Sequence, residues 1–302
     1  MTPQEAGGRP INSRGARSRQ ASADAERRMW PGWPRVARPL FHVWVAVCAG
    51  AALFPIFVLL MVSVAPGAAL FGERPALIIT APTFRFWGMV IGGGDLWAPL
   101  VKSLTVAVLT TGLVLAIAAP GAYAIARLPL RLRYGVVVGL LVTRMFPEFS
   151  IGVSVATRFA QLGLVDTYVG LVLAHVTGVL PFVAWLLVGA FEGVPRDVEA
   201  AAAIDGASRL ETLRRVVLPI TAPGLAVAAL FAWLYSWNEF LYARLLTTSQ
   251  NTLPLQVFQA IDRGTRQQMA AVAIVLVLPI LGIVAVLQRH LRPGALAGAI
   301  RG

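Results

Sequence analysis

The sequence is short of charge and shorter still of the groups that carry chemistry. Of its 302 residues 13% are charged, one is a cysteine, one is a lysine and three are histidines. Each shortage excludes something. A phosphate-binding loop ends in Gly-Lys-Ser/Thr, and the single lysine, Lys102, follows Val101, so the chain carries no such loop. Cys48 stands alone within the first apolar run and says nothing of disulfides or compartment. His42, His175 and His290 fall in or beside different apolar runs without helical pairing, which leaves no metal set. His42 and His290 read as interfacial residues, and His175 as either a hydrogen-bonded packing residue or a pathway residue. No convergent catalytic set can be found. The expectation is a chain that moves something rather than converts it, holds no cofactor or metal, and takes its energy from elsewhere.

What is abundant is apolar. Hydrophobic residues make up 57% of the chain and its mean hydropathy is +0.73, values that exclude an ordinary soluble domain. A membrane crossing takes about 20 apolar residues. Six runs are long enough: Phe41 to Val64, Ser103 to Ala126, Tyr134 to Thr157, Tyr168 to Phe191, Thr221 to Tyr242 and Met269 to Gln288. The fold class expected is all-α and polytopic, a six-span domain over 39–302 behind a disordered basic tail over 1–38, with Met29 an alternative start. The first run is an uncleaved anchor, being too extended for a signal peptide.

A net charge of +12 could mean nucleic acid, but scattered between long spans it is more simply topogenic, so no nucleic-acid partner is expected. With a cytoplasmic N-terminus, 18 basic residues fall inside and six outside. Both termini should therefore face the cytoplasm, with the tail beside the inner-leaflet lipids.

One stretch, Pro195 to Leu225, is charged and helix-forming. Pro195 can open a helix, and Glu199 to Ala203 propagates one. Asp205-Gly206 turns the chain. Ser208 and Glu211 then have the spacing of a capping box. The next helix, Arg209 to about Leu218, is amphipathic, with Leu210, Leu213 and Val217 on one face and Arg209, Arg214 and Arg215 on the others. Pro219 and Pro223 should end it and launch the fifth run. The product is a protruding knob tipped by small side chains, which lie on the inner side by the charge count.

Here the sequence resembles the integral membrane permease subunits of bacterial ABC importers, in particular the sugar-type branch with the maltose-type permeases. That family's coupling loop reads E-A-A, three residues, G, and later Leu-Pro. Ile204, Asp205, Gly206, Ala207, Ser208 and Leu218-Pro219 stand at its positions. Ala200 stands where the family has Glu, and Glu199 lies one residue earlier. The likeness runs from about residue 41 to the C-terminus, through Trp237-Asn238-Glu239-Phe240-Leu241, Thr252-Leu253-Pro254 and Gly294 to Gly302.

The resemblance implies a bacterial inner-membrane protein whose coupling loop, 193–222 between spans four and five, docks into a separate ATPase dimer that holds ATP and Mg. Docking would use Glu199, Ala200, Ala201, Ala202, Asp205, Gly206, Ser208, Arg209, Leu218 and Pro219. A second permease subunit would complete the pathway, and a periplasmic or lipid-anchored solute-binding protein would deliver a small-molecule sugar. Polyamine and anion permeases share the loop. An ion-coupled secondary transporter would need acids at midplane, for which only Glu148 is a candidate.

Intramembrane charge marks candidate pathway residues. Arg144 lies about 15 Å of helix rise into span three, and Glu148 follows one turn later. With Pro147 between them, the two read either as a polar lining for a hydroxylated solute or as a self-neutralising structural pair. Asn238 and Glu239, about 22 Å up span five, read either as pathway residues or as part of an aromatic belt. In the outer segment Thr247 to Gln268, the residues Asn251, Leu253, Pro254 and Leu255 read either as a binding-protein contact implied by the resemblance or as packing on the chain's own face.

Overall fold

The computed structural model describes residues 37–67, 81–94 and 96–288. The chain resolves into two compact units, Met1–Phe57 and Val58–Gly302. What is described of the first unit is the leading part of one apolar helix, α1 (Ala37–Val64), which runs on through Pro55 into the second. The expected tail, apart from its last two residues in α1, lies outside the described residues, as does Gly294 to Gly302.

The regular elements of the second unit are all helices among its described residues. After α1 come α2 (Arg85–Gly92), α3 (Trp97–Ala126), α4 (Leu130–Val142), α5 (Glu148–Gln161) and α6 (Tyr168–Glu192). There follow α7 (Arg196–Ile204), a helical stretch α8 (Arg209–Ile220), α9 (Ala222–Asn238), α10 (Leu241–Leu246), α11 (Leu253–Arg263) and α12 (Arg266–Gln288). Among the described residues, α1, α3, α6 and α12 are each long and apolar enough to cross a membrane.

The third expected span is not straight. It is α4 and α5, bent by 85°. Pro147 has no N–H to give a helix and its ring forces Phe146 out of the helical region, and both residues are extended, with ψ of 141° and 119°. The fifth is also shorter than expected: α9 meets α8 at 84° and ends at Asn238, before a second break at Glu239 and Phe240.

The core forms where α3, α6 and α9 meet. Val106, Val114, Leu171, Leu187 and Phe191 are fully enclosed there. Apolar burial gives little drive between helices in lipid, so close packing of small residues must hold them. Ala118, Ala122 and Ala126 of α3 and Ala228 and Ala232 of α9 supply those small residues. At Gly224 even a methyl group would come within 2.7 Å of the Ala190 Cβ, so the Ala190 methyl of α6 lies close against the bare backbone of α9. A second cluster stacks Trp233 on Trp237 at 4.9 Å, and the Trp237 indole donates to the Leu276 carbonyl of α12 at 3.0 Å.

Cross-links sort the loops between the two ends of this unit. At one end Arg127 pairs with Glu199, and Arg133 with Glu192 at 2.8 Å, joining the turn after α3 to α7 and the start of α4 to the end of α6. At the other end Lys102 donates to the Gln250 carbonyl at 2.6 Å and lies 3.9 Å from Asp166, while Gln267 reaches the Ala65 carbonyl at 3.4 Å. This is the grouping that the distribution of basic residues requires. Lys102, expected in an outer loop, instead lies within α3 and is buried.

Candidate functional site

The knob is built as its residues dictate. Pro195 sits just before α7, with φ −59° and ψ 135°, and α7 begins at Arg196. Asp197 and Glu199 occupy the first turn, where acidic side chains suit the positive end of the helix dipole. Gly206 then takes φ +84°, a left-handed turn open to glycine and strained for any β-branched residue. Ser208 closes the capping box in both directions, its hydroxyl accepting from the Glu211 amide at 3.3 Å and its own amide donating to the Glu211 carboxylate at 2.9 Å. These bonds from Ser208 hold the Glu211 carboxyl below its usual range.

Pro219 does not end the second helix. The chain widens into one π-helical turn, Leu213–Val217, and continues to Ile220. Proline gives no bond to the carbonyl four residues back and crowds it, and a wider turn absorbs both effects. The break comes at Thr221, with φ −90° and ψ 8°, and Pro223 takes the first turn of α9, where its missing N–H costs nothing.

The faces of the knob are divided. Ala200, Ala201, Asp205, Gly206, Ser208 and Arg209 are exposed, with Ile204 87% exposed at the apex. Ala202 is half-buried, and Leu213 and Val217 anchor α8 to the core. Glu199 points into its own chain. Its carboxylate accepts from the Tyr123 hydroxyl at 2.8 Å and from Arg127 Nε at 2.9 Å, with a second Arg127 nitrogen close against it. Burial opposes its ionisation most strongly, yet these bonds and the charges of Arg127 and Arg196 together keep it below the ordinary glutamate range. The sequence leaves open whether Glu199 stands in for the acid that the family has at the position of Ala200; here its carboxylate faces this chain's own α3.

The charged residues of the third span lie at its break. Arg144 and Glu148 do not form the expected i, i+4 pair, because the helix that would align them stops between them. Each turns to α6 or α9 instead. The Arg144 guanidinium donates to the Gly178 carbonyl and lies 5.5 Å from the centre of the Tyr235 ring. The Tyr235 hydroxyl donates to Glu148 at 2.5 Å. Gly178 makes room for that hydroxyl, since a Cβ here would run into it unless Tyr235 moved. The break frames a cavity of about 150 Å³ of mixed character, with Arg144, Glu148, Thr143, Thr177 and Tyr242 beside Phe146 and Ile151. Arg144 and Glu148 are exposed on this chain, beside Met145, Phe146 and Phe149. Charge at membrane depth is costly against lipid, so this face meets water or another protein.

Asn238 and Glu239 part company. Asn238 is exposed and its amide folds back on the Leu234 carbonyl at 2.8 Å. Glu239 is 7% exposed and fully engaged, its oxygens accepting from the amides of Tyr242 at 2.7 Å and Ala243 at 3.1 Å, which caps α10. One oxygen also lies 3.1 Å from His175 Nε2, whose ring is held at Nδ1 by Ser236 at 2.7 Å. His175 is thus buried, bonded to Ser236 through Nδ1, with Nε2 close to the Glu239 carboxylate but without a hydrogen bond to it, and Glu239 is engaged by the two amides.

At the opposite end the structure favours packing on the chain's own face, the second of the two readings, for Leu253 and Leu255. Leu253 and Leu255 are buried in this chain's own core, Leu253 held by the Ser103 hydroxyl at 2.8 Å. Asn251 is spent on Gln256 and Gln259, at 2.9 and 2.8 Å. Pro254 opens α11, where its lack of an N–H is harmless. Sequence reasoning missed Asp166, which takes φ +60° and accepts from Thr248 and Ser249 at 3.0–3.1 Å. Bonds from Ser249 and Thr248 outweigh burial and bring its pKa down to about 2. An aspartate before a helix-capping Thr was the only local signal for it.

This geometry agrees with what the chain is similar to. Residues 109–296 match the family described as binding-protein-dependent transport system inner membrane component. The trehalose transport system permease protein SugB of Mycobacterium tuberculosis is 31% identical over 84% of this chain and 94% of its own. The trehalose/maltose transport system permease protein MalG of Thermococcus litoralis is 29% identical over 88% and 97%. A bacterial ABC transporter involved in the import of the acidic polysaccharide alginate contains a chain that superposes with a TM-score of 0.71 at 22% identity, covering 86% of this chain and 99% of that one. The fold is that of an ABC transporter permease. The chain belongs to the binding-protein-dependent transport system inner membrane component family, and it is a permease subunit of an importer.

Proposed function

We propose that this chain forms half of the pathway of a binding-protein-dependent ABC importer for a sugar or sugar derivative, in a bacterial inner membrane. Its named relatives carry trehalose, trehalose or maltose, and, in a further case from Streptomyces coelicolor, diacetylchitobiose. ATP and Mg are held by a separate ATPase dimer, a solute-binding protein delivers the sugar from outside, and a second permease covers the charged face around Arg144 and Glu148. Both termini lie in the cytoplasm, as the excess of basic residues on the knob side requires.

The knob carries this reading. Its apex presents Ile204 and exposed alanines on a backbone fixed by Gly206 and a complete capping box. That apex is small and held in a fixed shape, and among the described residues nothing covers Ile204. Seated in the ATPase, it would be drawn inward on nucleotide binding and turn the bundle as a hinged body. Gly206→Val in the reconstituted transporter tests this. The chain should insert normally, and hydrolysis stimulated by the loaded binding protein should fall by about tenfold or more, since a β-branched residue is strained at positive φ. Unchanged stimulation would refute the docking role.

On the membrane side, Arg144, Glu148, Tyr235 and Thr177 offer donors and acceptors beside aromatic faces, a mix suited to hydroxyl groups. Asn238 lies one helical turn beyond Tyr235 on the same face of α9. We assign this surface to the solute pathway.

A further inference from the structure

Glu199 is the acid a coupling loop would offer to a motor subunit, and this chain keeps it for itself. Its carboxylate is gripped by Tyr123 and Arg127 at the end of α3. Arg127 does more than neutralise it. Another of its guanidinium nitrogens donates to the Phe191 carbonyl in the last turn of α6 at 3.1 Å, and the guanidinium lies 5.4 Å from the centre of the Tyr123 ring. One arginine thereby ties the coupling helix α7 to the ends of two core helices. The side chains of Arg127 and Glu199 are 20% and 16% exposed, so the contact is largely sheltered from water. It is also the main polar strut across an open cleft of about 830 Å³ between α3 and the knob, lined by Leu210 and Leu213 on its far wall.

We propose that Tyr123, Arg127 and Glu199 form a clamp that makes the coupling helix move as one body with α3 and α6, so that force entering the knob reaches these helices directly and not only α9 through α8. The three are positioning residues. They touch neither nucleotide nor solute, and the ATPase meets the exposed side of α7. Among the described residues no other hydrogen bond or ion pair joins α7 to α3 or α6, so without the strut the knob could follow the ATPase while the bundle lags. The inference rests on the docking role of the knob proposed above.

The test uses the complete transporter in proteoliposomes, with a cycle of Tyr123→Phe, Arg127→Ala, Glu199→Ala and the Arg127→Ala/Glu199→Ala double variant, and Gly206→Val in parallel. Tyr123→Phe removes one hydrogen bond and no charge, so it folds where the others could fail. It should keep the ATPase bound in detergent yet lower stimulated hydrolysis about fivefold, the effect of one hydrogen bond. Arg127→Ala and Glu199→Ala should each lower it by about tenfold or more, and the double variant should be no worse than either single. Arg127→Lys should recover part of the loss. Additive single effects, or wild-type stimulation in Tyr123→Phe and Arg127→Ala, would overturn the clamp. If Gly206→Val stimulates normally as well, the docking role fails with it; if Gly206→Val alone is defective, only the clamp fails.

Discussion

Two bends of nearly equal angle, 85° between α4 and α5 and 84° between α8 and α9, do opposite things. The first is a proline break. Its backbone leaves the helical region at Phe146 and Pro147, and the freed charges on either side are caught by a neighbour's carbonyl and by a tyrosine. The second is hardly a break, because the chain stays helical up to Ile220 and Leu225 already bonds back to Thr221 at 2.9 Å. One bend opens a hollow of mixed character within the third expected span; the other carries an amphipathic lever out of the bundle. A sharp angle between helices thus has no meaning of its own. What matters is whether the residues at the corner are charged or closed by hydrogen bonds.

Substitutions at the two corners should separate transport from coupling. Arg144→Ala should have the largest effect, removing the guanidinium that holds the Gly178 carbonyl. We expect uptake in proteoliposomes to fall about tenfold or more, the scale of a lost charged hydrogen bond, with the concentration for half-maximal uptake rising. A loss confined to stimulated hydrolysis would move the break from the pathway to the coupling machinery.

Gly178→Ala should come next. Its methyl group collides with the Tyr235 hydroxyl, so Tyr235 must swing away from Glu148 or the helices must part. A cost of about 1–3 kcal/mol is expected, read as a lower thermal midpoint in detergent. An unchanged midpoint would mean that the packing of α6 on α9 is looser than described.

Acid should distinguish the ends of the bundle. Asp166, with a pKa of about 2, is held below the ordinary aspartate value near 4. Its depressed folded-state pKa adds stability that is complete above that ordinary value and is lost as pH falls towards 2. Asp166→Asn should therefore lower the thermal midpoint at neutral pH by a few degrees, and the gap to wild type should close at the acid end of a pH series. The smallest effect is expected of Pro219→Ala. It restores an N–H to a turn already adjusted to its absence, and should change stability by less than about 1 kcal/mol, leaving the midpoint nearly where it was.

What could be read from the sequence was what local chemistry fixes. The capping box at Ser208, the turn at Gly206 and the long apolar helices α1, α3, α6 and α12 follow from neighbours a few residues apart. Reading failed where the partner was remote or the backbone changed course. Arg144 and Glu148 have i, i+4 spacing, but Pro147 removes the helix that gives the spacing its meaning. Glu199 finds Tyr123 and Arg127 across more than 70 residues, and no pattern announces that. Leu253 and Leu255 carry the same signal as Ile204, an apolar side chain in a connecting segment, yet two are buried and one stands out. Packing decided between them, and packing is not written locally.

The central claim is that the apex of the knob touches the motor. Because Cys48 is the only cysteine in the chain, an Ile204→Cys variant made with Cys48→Ala carries one thiol at that apex. In the assembled transporter it should cross-link to the ATPase subunit with a yield that changes with nucleotide, and a membrane-impermeant maleimide should reach it only from the cytoplasmic side. Labelling from the outer side, or no cross-link at any nucleotide state, would contradict the account.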